Sequence, residues 1–200
     1  MLGFAPHCGW AAVVVLGGTP GEPLVLARER LELTEARLEG AKQPYHAIEG
    51  LPIGDARARL TGFEASAARL AASGLRALAH TARAAGVEAL AAGILDSTGR
   101  SGATLEAILA SHALIHSADG QHFRAALEAG CAAQGLPATR IRQRDLGALA
   151  AAELRRSPAE LRTQVARLGR EIGAPWGADQ KGAALIAWLL LVRSRGAAAR

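Results

Sequence analysis

From Gly3 to Leu16 the chain reads Gly-Phe-Ala-Pro-His-Cys-Gly-Trp-Ala-Ala-Val-Val-Val-Leu, and its second half, Gly9–Leu16, is apolar and rich in β-branched residues. Such a run behaves as a strand buried on both faces, so the remaining chain must cover it from above and below. This predicts an α/β domain with Gly3–Leu16 as its first and central strand. Of the 200 residues 50% are hydrophobic, enough for one core of ordinary size and too little for two, so residues 1–200 read as a single domain. Aromatic residues are only 4%, which leaves Ala, Leu, Val and Ile to fill that core and favours close-packed helices on a sheet.

The elements follow in order. Gly17–Glu22 has turn chemistry, and Pro23–Leu33 resumes with alternation, Leu24 and Leu26 against an outward Arg28 and Arg30, which completes a hairpin. Thr34–Asp55 allows either an irregular third strand or a long loop. Asp55 is placed to cap a helix running to about Ala85, with Leu60, Phe63, Ala67, Leu70, Leu75, Leu78 and Ala82 at three- and four-residue spacing and Gly86 as its stop. Val87–Leu95 is a short strand that a helical crossover would set parallel to the first. Helical spacing returns from Thr104, with a break expected at Ser117–Gly120, and continues to Gly135; Leu136–Arg142 is the last strand. Ser157-Pro158-Ala159-Glu160 is a capping box with proline in the first turn. Pro175-Trp176-Gly177 ends that helix, and Ala178–Val192 forms another.

Charge and cysteine content narrow the setting. Basic residues give a net charge of +5, with Lys42 and Lys181 the only lysines, so arginine dominates a surface that tolerates phosphate backbones. An excess of that size also serves simply to keep an alanine-rich chain soluble. Cys8 and Cys131 form no CxxC pair and read as the reduced thiols of a cytoplasmic protein. No signal peptide is visible, and the longest apolar run, Ala183–Val192, is about half what a membrane span requires.

Hairpin, helix, strand, helix, strand and terminal helices, in that order, resemble the ribonuclease-H-like plan of a mixed five-stranded sheet flanked by helices. Three stretches resemble bacterial Holliday-junction resolvases in particular. Leu2-Gly3-Phe4-Ala5-Pro6 followed by Gly9-Trp10-Ala11-Ala12-Val13 is similar to that family's opening strand; Ser157–Val165 resembles its capped helix; Gly177–Ala187 resembles its closing helix. The resemblance implies two-metal phosphodiester hydrolysis, in which several carboxylates hold two Mg²⁺ ions about 4 Å apart. Carried over residue by residue, the opening aspartate falls on Ala5, the glutamate of the fourth strand falls near Gly93, and of two acids on the closing helix Asp179 alone remains. Asp96, at the mouth of its strand, could join Asp179 in a displaced site. Mg²⁺ or Mn²⁺ would be needed only for that nuclease alternative; otherwise no cofactor is expected.

Other residues have a functional and a plain reading each. His112 and His116 stand at i and i+4, a spacing that can hold Zn²⁺ if a third ligand arrives from elsewhere, and His7 and His46 could approach the same end of the sheet. No acid stands in the HExxH position, which favours a surface or capping role for the pair. His7, two residues past Ala5, could touch an anion or simply begin a strand. Arg100 in the Asp96–Gly102 loop could bind phosphate, although the loop has no Walker pattern and also reads as a solvated connector. Arg140 and Arg142, with Arg144, Arg155 and Arg156 nearby, could track a nucleic-acid backbone or protect an edge strand from aggregation.

Three functions remain open. The first is a catalytically degenerate resolvase-like protein that binds DNA or RNA or acts as a scaffold, with a homodimer as its candidate assembly; the second is a metal-dependent nuclease rebuilt around Asp96 and Asp179; the third is a protein-interaction module. Whether the chain is an enzyme is undecided at this level, with the empty position at Ala5 arguing against it.

Overall fold

The computed structural model describes residues 1–84, 86, 91–97 and 102–198. The opening run proves to be two strands: β1 (Leu2–His7) and β2 (Trp10–Gly18) are antiparallel, with His7 opposite Trp10 and a two-residue turn at Cys8-Gly9. Gly9 supplies the positive φ of +88° that such a turn requires. Periodicity missed the turn because both strands are buried, so no alternation marks where one ends.

β2 pairs antiparallel with β3 (Pro23–Glu32), while β4 (Ala92–Asp96) and β5 (Ala138–Arg142) extend the other edge in parallel with β1. The sheet order is β3-β2-β1-β4-β5. The central strand is therefore β1, which carries Ala5, and Gly9–Leu16 lies mainly in its inner neighbour β2. This is the mixed five-stranded sheet of the ribonuclease-H-like fold. Residues 87–90, where the sequence suggested the fourth strand begins, and residues 98–101 lie outside the described residues.

Alternating side chains feed two cores. Leu2, Phe4, Val13 and Val15 point to α1 (Ile53–Ala84) and α3 (His112–Ala132), where Leu75, Phe123 and Leu127 are buried. Ala5, Ala12, Val14 and Leu16 face the opposite layer, α4 (Gln143–Leu154), α5 (Pro158–Ile172) and α6 (Ala178–Ala198). The helical break falls at Ala110–Ser111, between α2 (Leu105–Leu109) and α3, and Ser117–Gly120 is continuous helix. Gly120 costs a helix about 1 kcal/mol, but burial of Ile115, Phe123 and Leu127 on the same face outweighs it. Residues 34–52 form turns and one 3-10 turn, His46–Ile48, rather than a strand.

Two local devices position the start of α6. Ser157 and Glu160 form the expected reciprocal capping box on α5, and beyond that helix Arg28 donates to the carbonyls of Gly173 (2.8 Å), Ala174 (3.0 Å) and Pro175 (2.7 Å). Arg28, which the alternation of β3 turned outward, thus fixes the α5–α6 connection. The second device is a close approach of helix to sheet: a Cβ on Gly3 would stand 1.8 Å from the Ala183 carbonyl oxygen. Only glycine fits there, and the contact sets α6 across the ends of β1 and β4.

Candidate functional site

Ligands in open α/β sheets bind outside the carboxyl ends of parallel strands. At that end of β1 and β4 a small cavity of about 50 Å³ is lined by Ala5, His7, Leu95, Arg124, Gln143 and Asp179, among others. Gly3 lies opposite Gly93 in the parallel register, which puts Ala5 level with Leu95. The sequence comparison placed the fourth-strand acid near Gly93, but Gly93 is packed beneath Ile186 and Leu190 of α6. The residue that faces the cavity is Leu95, two positions on, and it is apolar too.

Asp179, in the first turn of α6, lines this cavity. Its Oδ1 lies 3.0 Å from His7 Nε2, and both side chains are well over a third exposed. His7 stacks on Trp10 at 4.4 Å between ring centroids, and Arg30 covers that indole at 3.8 Å. His7 ends its strand and faces an acid and an aromatic ring; it does not begin a strand.

Asp96 has different partners. Its Oδ1 lies 3.2 Å from Arg124 Nε and accepts from Gln121 Nε2 at 3.1 Å and from the Ser97 N–H at 2.8 Å. Arg124 also donates to the carbonyls of Leu95 (3.0 Å) and Gly120 (2.6 Å). Burial lowers the Arg124 pKa and Asp96 opposes that shift; an arginine so placed keeps its charge. Asp96 and Asp179 are therefore engaged with separate partners.

A two-metal centre needs several oxygen donors converging from different elements. Among the described residues the cavity offers one carboxylate, Asp179, together with His7, Gln143, the Arg124 guanidinium and four apolar residues, Ala5, Pro6, Leu95 and Ala178. This donor set does not fit a pair of Mg²⁺ or Mn²⁺ ions, and no hydrolytic step follows from it.

The basic candidates divide. Arg140 is partly exposed and is bonded to both Glu128 carboxylate oxygens (2.7 and 2.5 Å) and to Gln121 Oε1 at 2.5 Å, so its guanidinium is engaged within the protein. Arg142 is exposed at the end of β5, in register with Asp96. Arg100 lies outside the described residues. Cys8 is exposed in the β1–β2 turn; desolvation and Asp119 push its thiol up, with Arg124 opposing, so it is no activated nucleophile.

His112 and His116 do share a face of α3, with their Nε2 atoms 3.0 Å apart, and His46 from the 3-10 turn joins them. Behind His46 lies Asp119, which is 2% exposed. Burial pushes its carboxyl up, opposed by the Tyr45 N–H and His46. Sequence reading passed over Arg124 and Asp119. The signal for Asp119 was present, because it occupies a position in the apolar stripe of Ile115 and Phe123, where an acid is out of place.

The sheet order and its flanking helices make a mixed α/β domain of the ribonuclease-H-like fold. Two solved structures share it along nearly the whole chain. Thermus thermophilus RuvC superposes with a TM-score of 0.53 at 13% identity, covering 98% of this chain and 95% of that one. Thermus thermophilus RuvC in complex with a Holliday junction substrate gives a TM-score of 0.54 at 15% identity, covering 98% and 94%. No protein-family model and no curated protein matches the sequence.

Proposed function

We propose that this is a resolvase-like nucleic-acid-binding protein whose cleft does not hydrolyse phosphodiesters. The observation that carries this reading is the partly buried Arg124 guanidinium lining the cavity together with Ala5 and Leu95. Where a resolvase cleft calls for acids that recruit cations, this chain places a guanidinium that is already paired with Asp96, so the charge open to phosphate comes from the exposed basic residues around the cleft. Exposed Arg142, Arg144 and Lys181 stand on the adjoining β5, α4 and α6, and the chain carries a net charge of +5. The likeness to a protein seen with a Holliday junction makes branched DNA the first substrate to try. Two free cysteines suit a reducing cytoplasm, and no helix among the described residues is long and apolar enough to cross a membrane.

The test measures binding to four-way DNA, duplex DNA and single-stranded RNA over a salt series, with Mg²⁺ and Mn²⁺ incubations alongside. The expected result is binding that falls steeply with salt, by a slope of about 0.9 per phosphate contact, and intact nucleic acid in both metals. Arg142→Ala should lower that slope by about one contact. Cleavage lost in Asp179→Asn would overturn the reading in favour of a nuclease rebuilt around Asp179 and Asp96. Absence of binding at low salt would overturn it in favour of a protein-interaction module. Sedimentation of the same complexes reads whether the protein acts as a homodimer.

A further inference from the structure

Three histidines from two distant parts of the chain meet at one point. His112 and His116 come from successive turns of α3, and His46 comes from the 3-10 turn more than sixty residues earlier. The His46 ring lies 4.5 Å from that of His116 and 5.4 Å from that of His112, centroid to centroid. One nitrogen from each falls within 4.8 Å of the others. We propose that His46, His112 and His116 bind a single Zn²⁺-type transition-metal ion, with Asp119 orienting His46 and a further coordination position left open.

The spacing suits the ion. Zinc binds imidazole nitrogen at about 2.0–2.1 Å, so two tetrahedral nitrogen ligands stand roughly 3.3 Å apart. The His112 and His116 Nε2 atoms are 3.0 Å apart, and a small rotation of exposed rings reaches that separation. Without an ion the two nitrogens can share only one proton between them. A metal satisfies both lone pairs.

Asp119 is the second, independent observation. Its Oδ1 accepts from the Tyr45 N–H at 2.7 Å, and its Oδ2 lies 2.5 Å from His46 Nδ1. The carboxylate holds the proton on Nδ1, so the nitrogen left for a ligand is Nε2. A carboxylate behind a metal-binding histidine is the usual way of fixing its tautomer and raising its basicity. A buried acid on an otherwise apolar helix face thereby acquires a reason for being there.

Ligand chemistry selects the metal. Three neutral imidazoles with no carboxylate in contact suit zinc, cobalt, nickel or copper, and not the hard Mg²⁺ ion. His112 and His116 are exposed and His46 partly so, which gives the ion a path in and leaves room for water or an anionic oxygen. The site is separate from the cleft. Arg124 is eight positions beyond His116 on α3, about 12 Å of helix, so the site stands or falls independently of the proposed nucleic-acid function.

The experiment uses the whole chain, stripped with chelator and dialysed, then titrated with Zn²⁺ and, as a spectroscopic probe, Co²⁺. The expected result is one ion per chain and an intense visible Co²⁺ absorption typical of low coordination number. His116→Ala and His46→Ala should each weaken Zn²⁺ binding at least 100-fold, and Asp119→Asn by 10- to 100-fold. Glu171→Gln, at an exposed acid of α5, should leave Zn²⁺ binding unchanged. Because His116 is exposed, its alanine variant should match the wild-type thermal transition in chelator, which separates loss of a ligand from loss of the fold. No stoichiometric ion, or a Co²⁺ spectrum that His46→Ala leaves unaltered, would overturn the proposal.

Discussion

Two regions flank the same helix and have opposite contents. At the carboxyl ends of β1 and β4, the resemblance leads one to expect several carboxylates, and the cavity holds one, Asp179, beside Ala5, Leu95 and the Arg124 guanidinium. About two turns earlier along α3, the fold leads one to expect nothing, and three histidines converge in front of a buried acid. The contrast teaches that a fold predicts where a cleft lies far better than what fills it. Contents have to be read from partners: Asp96 and Arg124 satisfy each other, whereas His112 and His116 face one another with nitrogens to spare.

The sharpest way to break this comparison is Arg124→Met. If the guanidinium is the resident cation of the cleft, its removal leaves Asp96 without its countercharge, held by the neutral Gln121 and Ser97 donors. With side chains only 11% and 20% exposed in the pair, the expected loss is roughly 3 kcal/mol in urea unfolding. Mg²⁺ should restore none of it. A loss under about 1 kcal/mol, or recovery with Mg²⁺, would mean that the cleft is open to metal after all.

A smaller effect isolates what burial alone does to a histidine on the same helix. His122 is on α3 one turn past Asp119, is 7% exposed, and has its pKa lowered to about 4 by burial. The native state therefore stays neutral while the unfolded chain takes up a proton below its ordinary value of 6.5. Stability from this residue is complete above pH 6.5 and falls as the pH drops toward 4. Between pH 7 and pH 5 the loss should be about 2 kcal/mol, and His122→Asn should flatten that part of the profile. An unchanged slope in the variant would show that burial alone does not govern this imidazole.

Much of the fold was legible, for reasons that particular residues make plain. Ser157 and Glu160 announce α5 because a capping box satisfies specific backbone donors, and the β-branched run announces a buried strand. The Cys8-Gly9 turn was not legible, since strands with two buried faces carry no alternation and a lone glycine is weak punctuation. Helix α3 was misread at Ser117–Gly120 for a related cause: turn-forming residues are a local preference, and burial of Ile115 and Phe123 is a stronger, tertiary one. The cleft was half legible. Ala5 and Asp179 could be placed by resemblance, but Arg124 could not, because its importance lies in reaching Asp96 and Leu95 across 25 or more residues of chain. Likewise His46 needed the fold to bring it to His112 and His116.

The least expected change in stability belongs to Asp179→Asn, and its value lies in binding instead. His7 and Asp179 are 42% and 38% exposed, so the pair contributes at most about 1 kcal/mol to folding, and thermal melting should barely move. Asp179 does, however, place a negative charge at the mouth of a cleft proposed to receive phosphate. Removing it should tighten nucleic-acid binding a few-fold at low salt, with the gain fading as salt screens the charge. The measurement is a pair of salt titrations, wild type and variant, each repeated with Mg²⁺ in place of part of the sodium. If the variant instead binds more weakly, and only when Mg²⁺ is present, Asp179 would be bridging a cation to the nucleic acid, and the cleft would have kept a metal function that Ala5 and Leu95 argue against.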